Sequence, residues 1–153
     1  MPKCYQLVGV PGSGKTTWVE SQIWASHCVH ISTDTYVERF ARRMKKPYSE
    51  VFHDVMPRCI RLMMRAVRKA QSEQRDIIWD QTSTTVISRI KKFSALPDYD
   101  HIAVIFSTPD IKELDRRLKS REGKTVPKAV IWDMIVNLEM PTEEEGFTEI
   151  WRT

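Results

Sequence analysis

Gly9-Val10-Pro11-Gly12-Ser13-Gly14-Lys15-Thr16 is the stretch from which the rest of this chain is read. It fits G-x-x-x-x-G-K-[S/T] at every fixed position. It stands between an apolar run, Cys4 to Val10, and a stretch from Lys15 to about Ser26 where Trp18, Val19, Gln22 and Ile23 recur at helical spacing. Glycines let backbone N–H groups converge on an anion with no Cβ in the way. The helix that follows turns free N–H groups and its positive dipole end toward the same point. Lys15 adds a mobile charge for the β and γ phosphates of a nucleotide, and Thr16 a hydroxyl for Mg²⁺. A dinucleotide fingerprint fits worse, because G-x-G-x-x-G requires glycine where Thr17 stands. Gly12, Ser13, Gly14, Lys15, Thr16 and Thr17 are therefore the expected contacts of ATP, with Thr16 the expected contact of Mg²⁺.

Outward from this loop, strand and helix patterns alternate. Val29–Ser32, Asp76–Trp79 and His101–Phe106 read as strands, and a further edge strand is expected near Phe147–Trp151. Between them lie helical stretches at Thr35–Arg43, Ser49–Gln74, Val86–Phe93, Asp110–Lys119 and from Pro127 to about Leu138. Pro57 is expected to kink or split the long one. Thr108 and Pro109 read as N-cap and first helical residue. Short, continuously apolar strands belong to a parallel sheet buried on both faces. The expected fold is one α/β domain over residues 1–153, three layers with a four- to five-stranded parallel sheet.

Composition narrows the class. The 153 residues suit a single core, and 41% hydrophobic with 29% charged residues excludes a disordered chain. Five glycines and eight prolines exclude collagen-like and low-complexity classes. No apolar run has the roughly 18 residues of a membrane helix, and the N-terminus lacks a signal-peptide pattern. Cys4, Cys28 and Cys59 lie far apart and without zinc spacing, so reduced core thiols and a cytoplasmic location are expected. The four histidines likewise lack a metal-ligand spacing. Net charge is only +4, which permits an anionic partner without requiring one.

Asp34 follows the second strand, and strand ends in open α/β sheets face the ligand crevice. A carboxylate there accepts a proton from an attacking hydroxyl, or caps the helix at Thr35; the position alone leaves both open. Asp80 closes Ile77-Ile78-Trp79, which resembles the Mg²⁺-holding Walker B element and equally a strand-end cap. Arg116, Arg117, Arg121 and Lys124 follow the fourth strand. Arginines over a triphosphate stabilise the charge that spreads in phosphoryl transfer, and cations also suit a helix C-terminus.

Gly9 to Thr17, Asp34, Asp80, the Arg117/Arg121 pair before Thr125-Val126-Pro127, Glu139-Met140-Pro141-Thr142 and Glu145-Gly146-Phe147 resemble the kinase domain of phage and animal 5′-hydroxyl polynucleotide kinases. The resemblance covers nearly the whole chain. It implies that Asp34 is the general base and that Arg117 and Arg121 are lid arginines that touch ATP. It also implies that Asp80 and Thr82 line the acceptor side. The phage pattern has an arginine three residues past the base, where Val37 stands here; Arg39 or Arg42 is a candidate for its place. A phosphatase domain usually accompanies the family's kinase domain, and none is read in this chain. A related group of phage P-loop kinases phosphorylates 5-hydroxymethyluracil within DNA, and the departure at Val37 suits that group too.

From Arg39 to Lys69 ten basic residues face two acids, a window of +8. Arg58, Arg61, Arg65 and Arg68 share one helical face, with Ile60, Met63, Met64 and Val67 expected on the core side. The basic face reads as a phosphate track or as solvated surface. Arg39, Arg42, Arg58 and Arg61 are the candidate acceptor contacts with Asp80 and Thr82. The acids Glu143 to Glu145 are expected to be solvated. The expected activity is ATP-dependent phosphorylation of a hydroxyl on nucleic acid, DNA ahead of RNA, with Lys15, Asp34, Arg117 and Arg121 catalytic. A nucleoside or small-metabolite kinase and a non-catalytic nucleotide-dependent binding module are the alternatives.

Overall fold

In a computed structural model that describes residues 1–153, the apolar runs form five parallel strands. They are β1 (Lys3–Val8), β2 (Val29–Ile31), β3 (Ile77–Trp79), β4 (Asp100–Ile105) and β5 (Glu149–Arg152), in spatial order β2-β3-β1-β4-β5. The helices are α1 (Lys15–Ser21), α2 (Thr33–Met44), α3 (Tyr48–Ser72), α4 (Val86–Ala95), α5 (Ile111–Lys119) and α6 (Lys128–Val136). β1 pairs with β3 on one side (Cys4 opposite Ile77) and with β4 on the other (Cys4 opposite His101). The C-terminal ends of β1, β2 and β3 therefore open on the same edge, at the strand where the order reverses.

Alternation along β1 feeds two cores. Cys4, Ile77 and Trp79 pack with Met63, Val67 and Ala70 of α3 on one face. Tyr5, Leu7, Ile78, Ile102 and Val104 pack with Val19 of α1 and with Trp18, Trp24 and Trp151 on the other. Both faces are covered, as the expected three-layer α/β architecture requires. α2 and α3 pair through Val37, Ala41, Val51, Val55 and Cys59, and α5 and α6 meet β1's end through Val10, Leu114 and Ile131.

Local chemistry moves several boundaries. The helix expected to reach Ser26 stops at Ser21; Gln22 is extended and Ile23–His27 is a 3₁₀ turn. The turn sets the Trp24 ring 4.6 Å from Tyr5 and 5.8 Å from Trp18, while Ile23, which fitted the helical period, is 91% exposed. Aromatic packing on the sheet outweighs another helical turn. The N-cap of α5 is Asp110 rather than Thr108: its carboxylate accepts from the Glu113 N–H at 2.9 Å. A charged acceptor is the stronger partner for a helix N-terminus.

α3 is not split by Pro57. The ring sits on an exposed stretch, and the carbonyl it frees, that of His53, belongs to an exposed residue that water can satisfy. The buried seam of α3 is Val51, Val55, Cys59, Met63, Val67 and Ala70; Ile60, assigned to the core side, falls one residue off this seam and is exposed. The acidic tail is not all solvated either. Glu145 takes a two-pronged ion pair from fully buried Arg89 (Nε–Oε1 2.8 Å, Nη2–Oε2 3.1 Å), whose Nη1 also donates to the Ser83 carbonyl. That pair fastens the C-terminal segment to α4. His101 is a buried, neutral core histidine: its Nε2–H donates to the Leu96 carbonyl, Gln6 donates to Nδ1, and burial lowers its pKa.

Candidate active site

β1 gives way at Gly9 to a loop whose glycines serve distinct purposes. A Cβ on Gly9 would stand 2.6 Å from Ser13 Oγ and 2.9 Å from Phe106 Cβ, so the loop passes the sheet only as glycine. Gly12 (φ 82°) and Gly14 (φ 96°) hold left-handed backbone that turns successive N–H groups inward. Ser13 Oγ is buried with no hydrogen-bond partner, a donor left over for an anion in the loop. Lys15 Nζ donates to the carbonyls of Gly9 and Val10, both at 2.9 Å. Burial lowers its pKa to about 8, against the opposing pull of Asp80 and Asp34.

Across a cleft of 1540 Å³ lies Asp34. It stands in the first turn of α2 behind Ser32 in the N-cap position, so the capping reading of Asp34 fails. Its Oδ1 accepts from the Tyr48 hydroxyl and its Oδ2 from Lys124 Nζ at 2.8 Å. Burial pushes its pKa up, but the Lys124 charge and hydrogen bond, the Tyr48 hydrogen bond and Arg121 outweigh it, and the carboxyl is held below its ordinary value. Burial and the bond to Asp34 raise Tyr48 in turn. Lys124 also lies 4.5 Å from the Tyr48 ring centre and 3.6 Å from Glu38.

α5 and the segment after it, the expected lid, line the cleft beside the phosphate loop. Arg117 is bonded at both ends: Nε donates to Glu113 at 2.8 Å and Nη1 to the Gly12 carbonyl at 3.0 Å, which places the guanidinium on the phosphate loop. Hydrogen bonds from Arg116 and Arg117 bring Glu113 down to about 2. Arg121 lines the cleft and makes no ion pair. Ser49, at the start of α3, accepts from the Thr125 N–H at 2.7 Å, and its own N–H donates to the Gly123 carbonyl. Ser49 and the Lys124–Asp34 pair thus hold the segment after α5 against the starts of α3 and α2.

Asp80 follows β3, its Oδ2 2.9 Å from His30 Nε2. The Thr82 carbonyl accepts from the Gly9 N–H, tying the two strand ends together. Asp80, Thr82, Thr16 and Thr17 all line the cleft. The structure therefore gathers Gly12 to Thr17, Asp34, Asp80, Thr82, Arg117 and Arg121 around one space. It does not gather Arg39, Arg42, Arg58 and Arg61, which are exposed and outside that cleft. Arg39 and Arg58 instead lie over the rings of Tyr36 and Phe40. Sequence reading placed Lys124 among the lid cations but missed its bond to Asp34, and missed Tyr48 altogether. Tyr48 had one signal, its place beside the Pro47 break.

Known proteins resemble this chain as follows. The AAA domain family matches residues 6–141. A protein of Acanthamoeba polyphaga mimivirus that carries the name bifunctional polynucleotide phosphatase/kinase is 29% identical, over 94% of this chain and 31% of its own length. The bifunctional polynucleotide phosphatase/kinase of Schizosaccharomyces pombe is 26% identical over the same shares, 94% and 31%. The chain spans about a third of the length of these curated relatives. In fold it is similar to a Chloroflexus aurantiacus protein described as a kinase (TM-score 0.69, 16% identity, 99% of this chain and 84% of that one).

Proposed function

We propose that this chain, which belongs to the AAA domain family and resembles the P-loop polynucleotide kinases, transfers the γ-phosphate of ATP to a hydroxyl on nucleic acid, DNA ahead of RNA. One observation carries the reading: a phosphate loop and a hydrogen-bonded carboxylate, Asp34, line one cleft, with Arg117 bonded to the loop at Gly12. The names of the two relatives support it.

The loop fits a nucleotide. Its positive-φ glycines and the orphaned Ser13 hydroxyl suit β and γ phosphates, and Lys15 exchanges the Gly9 and Val10 carbonyls for them. Thr16 and Asp80 supply oxygen donors suited to Mg²⁺ in the same cleft. Held by these residues, the ion would supply positive charge to offset that of the phosphates. Asp34 takes the proton of the acceptor hydroxyl as its oxygen bonds to Pγ; the bond from Pγ to the β–γ bridging oxygen breaks, and ADP leaves. Arg117 and Arg121 face the charge that spreads over the transferring group. Thr82 lines the acceptor side with Asp80.

The acceptor is a 5′-hydroxyl end or the hydroxymethyl group of a modified base such as 5-hydroxymethyluracil. A small-acceptor kinase is the second reading, favoured by the exclusion of Arg39, Arg42, Arg58 and Arg61 from the cleft. Labelled-phosphate transfer to 5′-hydroxyl DNA, 5′-hydroxyl RNA, a circular duplex carrying hydroxymethylated pyrimidine, and free nucleosides decides among them. Lys15→Ala serves as the inactive control. Transfer to nucleic acid is expected; labelling of free nucleosides alone establishes the small-acceptor kinase, and no ATP-dependent transfer refutes both kinase readings.

A further inference from the structure

The cleft has two unlike walls. All five of its Lys and Arg side chains, Lys15, Arg116, Arg117, Arg121 and Lys124, belong to the phosphate loop, α5 and the lid. The α2–α3 wall contributes no Lys or Arg. It presents Tyr48, Phe52 and Met56 at positions i, i+4 and i+8 of α3, hence on one face of that helix. The stripe begins at the reacting end, where the Tyr48 hydroxyl donates to Asp34. Phe52 follows with its ring centre 5.7 Å from that of Tyr48, about one helical turn further along. His53 stands edge-on to Phe52 at 5.3 Å and is exposed; Phe52 and Met56 are half-buried and line the open space.

This wall offers a phosphate no lysine or arginine. The position three residues past Asp34 offers none either: it is Val37, fully buried against Val51 and Val55. An aromatic and thioether surface instead offers a face to a flat, polarisable group. Every nucleobase is such a group, and stacking of a base on an aromatic side chain is tolerant of sequence.

We infer that the Tyr48–Phe52–Met56 stripe is the seat of the acceptor's nucleobase, which stacks on Phe52 while the hydroxyl to be phosphorylated reaches Asp34. The inference rests on the nucleic-acid kinase reading above. Phe52 is then a specificity-determining residue: the acceptor is gripped through its base, and the phosphates next to the hydroxyl stay outside the cationic wall. The same seat serves the terminal base of a 5′-hydroxyl end or a base carrying its own hydroxymethyl group.

The test compares Phe52→Ala, Phe52→Leu and Phe52→Trp with the parent chain. The two acceptors are linear 5′-hydroxyl DNA and a circular duplex containing 5-hydroxymethyluracil. Thermal unfolding establishes that each variant is folded, and Phe52→Leu keeps an apolar side chain where Phe52→Ala leaves a cavity. For whichever acceptor is turned over, Phe52→Ala and Phe52→Leu are expected to raise acceptor KM by about 5- to 150-fold. ATP KM is expected to hold, and Phe52→Trp to recover the acceptor KM. The acceptor that responds identifies the source of the base. An acceptor KM within twofold of the parent in Phe52→Ala overturns the inference, as does a Leu variant equal to the parent, since Leu packs but does not stack. Absence of transfer to either acceptor by the parent chain overturns the nucleic-acid reading and this inference together.

Discussion

Asp34 is engaged through both oxygens, and that decides how it behaves. If Asp34 is the proposed base, ending its step with a proton requires it to lose the Lys124 ammonium or share the carboxylate with it, so the Lys124–Asp34 pair would then restrain proton uptake. Two residue-scale predictions follow from this geometry. Asp34→Asn is expected to slow transfer by roughly 10²- to 10⁴-fold with little change in ATP affinity, the range for loss of a general base. A collapse of ATP affinity with the saturated rate preserved would make Asp34 a structural residue. Lys124→Met removes the main group that holds the Asp34 pKa down, so burial is opposed only by Tyr48 and Arg121 and the pKa rises. The acid limb of the kcat/KM–pH profile, which reports the free enzyme, should therefore move to higher pH. An unmoved limb would place the titrating base elsewhere. At the same scale, the phosphate loop was readable residue by residue because its φ angles and charges are dictated locally. Tyr48 was not, because its role is a hydrogen bond to a residue fourteen positions away.

At the scale of elements, the C-terminal segment is fastened by a charge pair as well as by its short edge strand. Arg89 and Glu145 are 56 residues apart in sequence, and their side chains are 0% and 8% exposed. Glu145→Gln leaves a buried guanidinium without its counter-ion. Breaking a buried pair from one side costs about 3–5 kcal/mol, a fall of roughly 6–20 °C in melting temperature for a chain of this size. The double replacement Arg89→Met with Glu145→Leu should cost less than the single one, because no charge is left stranded. A melting point for Glu145→Gln within a degree or two of the parent would show that the tail is held by Phe147 and β5 instead. The helix and strand patterns around this pair were legible, since each follows a period of 3.6 or 2. Their ends were not: Trp24 stops α1 early and Asp110 moves the α5 cap, both through competition between nearby partners.

The whole molecule separates its charges. The cleft concentrates cations on one wall, while Arg58, Arg61, Arg65 and Arg68 remain exposed along the outer face of α3. If this face tracks the phosphates of a long acceptor, acceptor affinity falls steeply with salt through counterion release, and ATP affinity falls less. Replacing Arg58 and Arg61 with Gln should weaken binding to all sequences about equally and reduce the salt slope by about one per lost contact. Lys15→Ala should leave the slope untouched. A slope unchanged in the double variant would return the stripe to plain solvated surface.

Sequence alone determined the elements whose signals are local. These are the phosphate loop, the alternation of apolar runs and helical periods that makes a parallel α/β sheet, and the places of Asp34 and Asp80 just beyond the second and third strands. Each is set by neighbours within a turn or two of chain, where sterics and periodicity act. Tertiary structure decided what depends on contacts between distant segments. It paired Lys124 and Tyr48 with Asp34, buried Glu145 against Arg89, and sank Val37 into the α2–α3 seam. It turned Tyr48, Phe52 and Met56 into the cleft and left Arg39, Arg42, Arg58 and Arg61 outside it. Helical periodicity says which residues share a face; only the packing of α3 against α2 and the sheet says which way each face points.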